Sequence, residues 1–188
     1  MCPLVGVTGA GLVQRSFLLG PPLLIASREF PLKMLTALLA IVLCADPQTL
    51  TGKVVHIADG DTLTIVDADK VQHKIRLAGI DAPEKSQAFG TKAKEALAAK
   101  VHEKTVRVVW KERDRYGRIV GDVHLGDRNI NLEMVHDGFA WWYRTYAPKS
   151  KELERAEAEA RKERRGLWHD KEPEPPWEFR RKERNAKR

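Results

Sequence analysis

Six side chains in the middle of this 188-residue chain are of the types that hydrolyse or bind phosphate esters: Asp59, Asp61, Arg76, Asp81, Glu84 and Arg118. Carboxylates supply hard oxygen ligands for a divalent cation or a base for water. Guanidinium forks match the oxygens of a phosphate and keep their charge at every physiological pH. Each group also has a plainer reading. Asp59-Gly60-Asp61 is a tight-turn sequence, because Asp and Gly both favour turns. Arg115, Tyr116 and Arg118 flank Gly117 on a loop that suits phosphate contact, and equally suits a solvated basic hairpin tip.

The elements between these residues decide whether they meet. Thr51–Ile57 and Thr62–Val66 are rich in β-branched residues, and Ala58-Asp59-Gly60-Asp61 separates them as a turn. Val71, His73, Ile75 and Leu77 alternate with polar or small residues, so this stretch is a half-buried strand. A hairpin turn centred between Ala68 and Asp69 sets Asp61 opposite Arg76, within two residues for a bulge. Facing strands lie about 5 Å apart, so carboxylate and guanidinium share one side of the sheet. A surface salt bridge of modest worth satisfies the same arithmetic. Asp81 lies five residues beyond Arg76, about 17 Å along a straight strand. It joins Asp61 only if the chain bends, and Gly79 permits the bend. Pro83 then holds Ala82 extended as the chain leaves the strand.

Further on, Ala93, Leu97 and Val101 recur every four residues, which predicts a helix over 91–102. Two more strands follow, around Val106–Trp110 and Ile119–Leu125, joined by the turn Asp114–Arg118. Helices are expected over 130–137, ending at Gly138, and from near Ser150 to Arg165, ending at Gly166. Five short strands with interleaved helices predict a small β-barrel of the OB type, an α+β fold; an open α+β sheet has the same element order. The domain is expected over 50–169. Residues 170–188, with Pro173, Pro175 and Pro176 and a dense charge run, are expected to form a loose tail.

Composition allows a packed core, with 43% hydrophobic and 31% charged residues. The net charge of +7 fits a polyanionic partner, either nucleic acid or an acidic surface. The terminal segments carry most of it, so an anion site in the middle must come from local arrangement. Met34–Ala45 is an apolar run preceded by Arg28 and Lys33 and followed by Asp46-Pro47-Gln48. That layout is a signal peptide, with cleavage expected after Ala45 and export to the periplasm or beyond. The run falls short of the roughly 18 residues that span a bilayer, so no stable membrane insertion is expected after processing. Residues 1–33 read as a start-site artefact, since Met34 is well placed as the true start. Cys2 and Cys44 both precede the expected mature start, which leaves no thiolate zinc site and no disulfide.

The set of motifs resembles the staphylococcal nuclease (thermonuclease) family. The matching pieces are Asp59-Gly60-Asp61-Thr62, then Ile75-Arg76-Leu77-Ala78-Gly79-Ile80-Asp81-Ala82-Pro83-Glu84, then Asp114-Arg115-Tyr116-Gly117-Arg118. Gly138-Phe139-Ala140, Tyr146-Ala147-Pro148 and Gly166-Leu167-Trp168 follow in the family's order. The resemblance implies an OB-type barrel with three α-helices and a calcium-dependent nuclease of DNA and/or RNA, acting as a monomer. It implies Asp61, Asp81 and the carbonyl of Ala82 as Ca²⁺ ligands, with Asp59 just outside them. Arg76 and Arg118 would bind phosphate, Glu84 would hold the attacking water, and Arg115, Tyr116 and Tyr146 would contact substrate. Ala82 stands where the prototype has a hydroxyl residue, and Arg144 where it has a tyrosine. The prototype's lysine-rich loop after Glu84 is largely missing. The competing classes are an OB-type protein that binds nucleic acid without cutting it, and a basic envelope protein using its charged tail. The full set of acidic and arginine positions favours the enzyme.

Overall fold

The structure is a computed structural model that describes residues 46–188; the expected leader, with Cys2 and Cys44, lies outside the described residues. Strands β1 (Gln48–Ile57), β2 (Thr62–Val66), β3 (Gln72–Leu77), β5 (Thr105–Arg113) and β6 (Ile119–Leu125) form one sheet in the order β3-β2-β1-β5-β6. Every neighbouring pair in that order is antiparallel. The sheet closes because β3 also pairs with β6, in parallel, with Ile75 opposite Ile119 and Arg76 opposite Val120. Closure needs strong local bending, and the register shifts between Val54 and His56 and between Trp110 and Glu112 supply it. The result is the five-stranded OB-type barrel that the strand pattern predicts.

Alternation along the strands sends Val54, Leu63, Ile65, Ile75, Val108 and Val123 to the barrel interior, all fully buried. Helix α1 (Gly90–Val101) adds Ala93, Leu97 and Val101 to that core, the face read from their spacing. Truncating one such residue, for example Leu97→Ala, costs about 2–5 kcal/mol by analogy with other cores. Short strand β7 (Arg128–Asn129) leads into α2 (Ile130–His136), whose first turn is capped by Asn129 accepting from the Leu132 amide. Helix α3 (Lys151–Lys162) begins at Ser150, whose hydroxyl accepts from the Leu153 amide. Its acidic first turn and basic last turn both complement the helix dipole. Strand β4 (Ile80–Asp81) pairs with β8 (Trp141–Trp142) beside the barrel.

The β2–β3 hairpin pairs Thr62 with Arg76, one residue from the expected Asp61 and inside the two-residue allowance. Its loop holds three residues rather than two, with Lys70 in the left-handed region at φ 61°, and the odd residue shifts the register by one. The segment expected to be a loose tail contains a fourth α-helix, α4 (Pro176–Ala186), with Pro176 at its first position, where its missing N–H costs nothing. Its base joins a second apolar cluster of Trp141, Ala160, Leu167 and Trp168, against which Phe89 and Trp177 pack. Among the described residues, no helix is long and apolar enough to cross a membrane.

Candidate active site

The turn Asp59–Asp61 is more than a chain reversal. A Cβ on Gly60 would lie 2.7 Å from the Cβ atoms of both Ala82 and Ala93. Only a glycine therefore lets this turn press against the segment that follows β4. That approach delivers Asp61 Oδ2 to the Ala82 amide, which donates to it at 2.7 Å. Asp59 Oδ1 accepts from the Asp61 amide at 3.0 Å and fixes the turn.

Gly79, at φ 71°, turns the chain sharply between β3 and β4. The bend folds Asp81 back toward Arg76. Arg76 Nη1 then contacts Asp61 Oδ2 at 2.9 Å, and Nη2 donates to Asp81 Oδ1 at 2.9 Å. One guanidinium thus bridges two aspartates that are twenty residues apart in sequence. Because the register is shifted, it reaches Asp61 diagonally from the position opposite Thr62.

Arg118 arrives from the β5–β6 hairpin. Asp114 organises this tip: its Oδ1 accepts from the amides of Tyr116 and Arg118, both at 2.9 Å, and its Oδ2 from Arg118 Nε at 2.7 Å. The free end of the fork, Nη1, lies 3.4 Å from Thr62 Oγ1, a long contact. Thr62 Oγ1 donates in turn to Asp61 Oδ1 at 3.0 Å. A short polar chain therefore runs from Arg118 through Thr62 and Asp61 to Arg76. The parallel β3–β6 pairing explains it, since Arg76 faces Val120, two residues past Arg118.

Burial dominates the electrostatics of the two aspartates. Burial pushes the Asp61 carboxyl up to about 6, with Arg76 opposing and Asp59 adding to the rise. Burial also raises Asp81, against the pull of Arg180 and Arg76. At Asp114, partial burial works upward but the hydrogen bonds from Arg118 prevail and hold the carboxyl low.

A family model described as staphylococcal nuclease homologue matches residues 74–170, just over half of the chain. Protein ParB of Escherichia coli is 41% identical over 172 residues, covering 85% of this chain and 97% of the relative. This chain belongs to the staphylococcal nuclease homologue family. An uncharacterized endonuclease of Haemophilus influenzae is 41% identical over 158 residues, covering 84% of this chain and 88% of its own. A micrococcal nuclease of Shigella flexneri is 43% identical over 145 residues, covering 72% and 83%.

Within this family member, the described residues hold no group of three or more His, Cys, Asp or Glu side chains placed to cage a metal ion. The oxygens that could hold a hard cation are those of Asp61 and Asp81, two carboxylates whose charge is disfavoured by burial. That donor set fits calcium, which takes carboxylates together with carbonyl and water oxygens. Glu84 enters the cluster indirectly, through Arg180 of α4, whose Nη1 donates to Glu84 Oε1 at 2.7 Å. Tyr116 is exposed, under the guanidinium groups of Arg115 at 4.8 Å and Arg118 at 5.6 Å. Tyr146 is exposed and packs edge-on to Tyr143 at 4.8 Å. Arg144 turns onto Trp142 and donates to Glu157 at 3.2 Å.

Sequence reading passed over Thr62 as a connecting residue and gave no part to Gln87, Trp177 or Arg180. The signal for Trp177 was present. Trp177 and Phe179 follow Pro175-Pro176, and aromatics directly after a helix-starting proline argue against a freely solvated tail.

Proposed function

We propose that this protein is a calcium-dependent phosphodiesterase, an endonuclease that hydrolyses DNA and/or RNA. The observation that carries the reading is the link between the two arginines: Arg76 bridges Asp61 and Asp81, and Arg118 joins them through Thr62. Two guanidinium forks beside two buried carboxylates make a place where a cation and an anionic phosphate can be neighbours. The names of the relatives agree, since two of the three described above are an endonuclease and a micrococcal nuclease.

Calcium bound by Asp61, Asp81 and the Ala82 carbonyl would supply Lewis acidity toward a phosphoryl oxygen. The chain's own groups do the rest. Arg76 and Arg118 hold the phosphate and take up the charge that grows on its equatorial oxygens during in-line attack. Their charge is fixed, and the barrel positions both before substrate arrives. Glu84 holds the attacking water by accepting its proton in a hydrogen bond. Asp114 orients Arg118, and Thr62 sets the spacing between the arginine and Asp61. Arg115, Tyr116 and Tyr146 contact the neighbouring nucleotides. We further propose that the protein is exported, on the strength of the apolar run at Met34–Ala45, and that it acts as a monomer.

The test is digestion of single- and double-stranded DNA and RNA by the purified protein, with calcium and with a chelator. Cleavage is expected with calcium alone. Cleavage that survives thorough chelation rejects the metal assignment, and no cleavage of any substrate rejects the enzyme.

A further inference from the structure

Arg180 lies ninety-nine residues from Asp81 in sequence and lands on it with both ends of its fork. Nη2 donates to Asp81 Oδ2 at 2.7 Å, and Nη1 donates to Asp81 Oδ1 at 3.2 Å and to Glu84 Oε1 at 2.7 Å. A single positive group thereby occupies both oxygens of a fully buried carboxylate and one oxygen of its neighbour.

A second observation comes from one turn earlier in the same helix. The Trp177 ring lies flat on Tyr143, with centroids 5.4 Å apart and planes only 6° from parallel. Flat stacking on an aromatic ring is how proteins hold the bases of single-stranded nucleic acid. The helix is also tied to the segment that bears Glu84. Gln87 Nε2 donates to the Glu174 carbonyl at 2.5 Å, while Gln87 Oε1 accepts from the Glu84 amide at 3.2 Å. Beyond its first turns α4 is free of the barrel: Pro176 is buried and Trp177 to Arg180 are half-buried, but residues 181–186 are exposed.

We propose that α4 is an intramolecular plug, with Arg180 in the place of the cation and Trp177 in the place of a base. Calcium and nucleic acid bind only as the helix lifts away. The inference rests on the phosphodiesterase reading above and adds to it a competitor built into the same chain. One carboxylate cannot give both oxygens to a guanidinium and ligate a cation at full strength. The plug therefore weakens apparent calcium affinity by the fraction of molecules in which it is open. A plug closed nine-tenths of the time weakens affinity about tenfold.

The test uses the full protein, the Arg180→Gln variant and the Trp177→Ala variant. Calcium affinity is read by titration calorimetry, and hydrogen exchange of residues 176–186 by mass spectrometry. Arg180→Gln is expected to bind calcium about tenfold more tightly than wild type. Trp177→Ala should shift affinity in the same direction by less. In wild type, saturating calcium should speed exchange across 176–186. Calcium binding of equal strength in all three proteins, with exchange across 176–186 unchanged by calcium, overturns the plug while leaving the metal assignment standing. If none of the three binds calcium, the metal assignment fails, and a short single-stranded oligonucleotide in chelator decides the plug. Faster exchange on adding the oligonucleotide sustains it, and unchanged exchange overturns it.

Discussion

Arg76 Nη2 meets Asp81 Oδ1 at 2.9 Å although a straight strand would hold the two residues far apart. The bend at Gly79 makes this contact, and it predicts a substitution that damages the site from outside it. A Cβ at Gly79 would lie 2.9 Å from Leu153 Cδ1 and 3.0 Å from the Ala147 Cβ, on a backbone at φ 71°. Gly79→Ala is therefore expected to cost about 1–3 kcal/mol of stability in urea unfolding. It should also lower calcium affinity, because Asp81 moves with the bend. Unchanged affinity in a destabilised variant would show that the bend and the site are independent.

In the proposed role Arg118 acts through the geometry of its fork, so its charge alone should not suffice. Arg118→Lys removes the Nε bond to Asp114 and one of two parallel phosphate contacts. The variant should lose about 10²–10³-fold in kcat/KM, on the scale of other charge-stabilising donors. Its melting temperature should stay near wild type, since the residue is partly exposed at a hairpin tip. Undiminished turnover would reassign the residue to a solvated loop.

The burial of Asp61 makes a prediction about acid. Its pKa of about 6 lies above the ordinary 3.8, so the folded protein holds this proton more tightly than the unfolded chain does. The contribution of this group to stability is complete below about pH 4 and declines as pH rises through about 6. Asp61→Asn removes that dependence. Urea unfolding in chelator should show the stability difference, wild type minus variant, falling between pH 4 and pH 7. A difference that rises over that range would mean Arg76 outweighs burial.

On the proposed ligand set calcium should stabilise the native protein, because Asp61, Asp81 and the Ala82 carbonyl come together only there. At a hundred times its dissociation constant the ion adds about 2.7 kcal/mol. Chelation should lower Tm accordingly, and Asp81→Asn should abolish the difference. A calcium shift that persists in Asp81→Asn would place the ion elsewhere.

The barrel was legible because its core strands alternate and α1 repeats every four residues: Leu63, Ile75, Leu97 and Val123 sit where their spacing puts them. The register was harder. Nothing in Asp67-Ala68-Asp69-Lys70 shows that Lys70 will take a positive φ, so a three-residue loop reads like a two-residue one and the pairing slips by one. Gly60 looked like a turn residue, whereas its role is to let two backbone segments touch, and that depends on Ala82 and Ala93 far along the chain. Arg180 was out of reach for the same reason. A charged residue in a charged run carries no mark of the buried carboxylate it will find.

The seam between β3 and β6 has a consequence for how the molecule comes into being. Residues 75–77 meet 119–121 across more than forty intervening positions, and they are parallel neighbours, the slowest kind of strand pairing to find. Until that ladder zips, one arginine rides on an early hairpin and the other on a late one, and they share no cleft. If both arginines act as proposed, a chain whose ring is still open is chemically harmless to the polymers around it. Potency arrives only with the last turn of the ring.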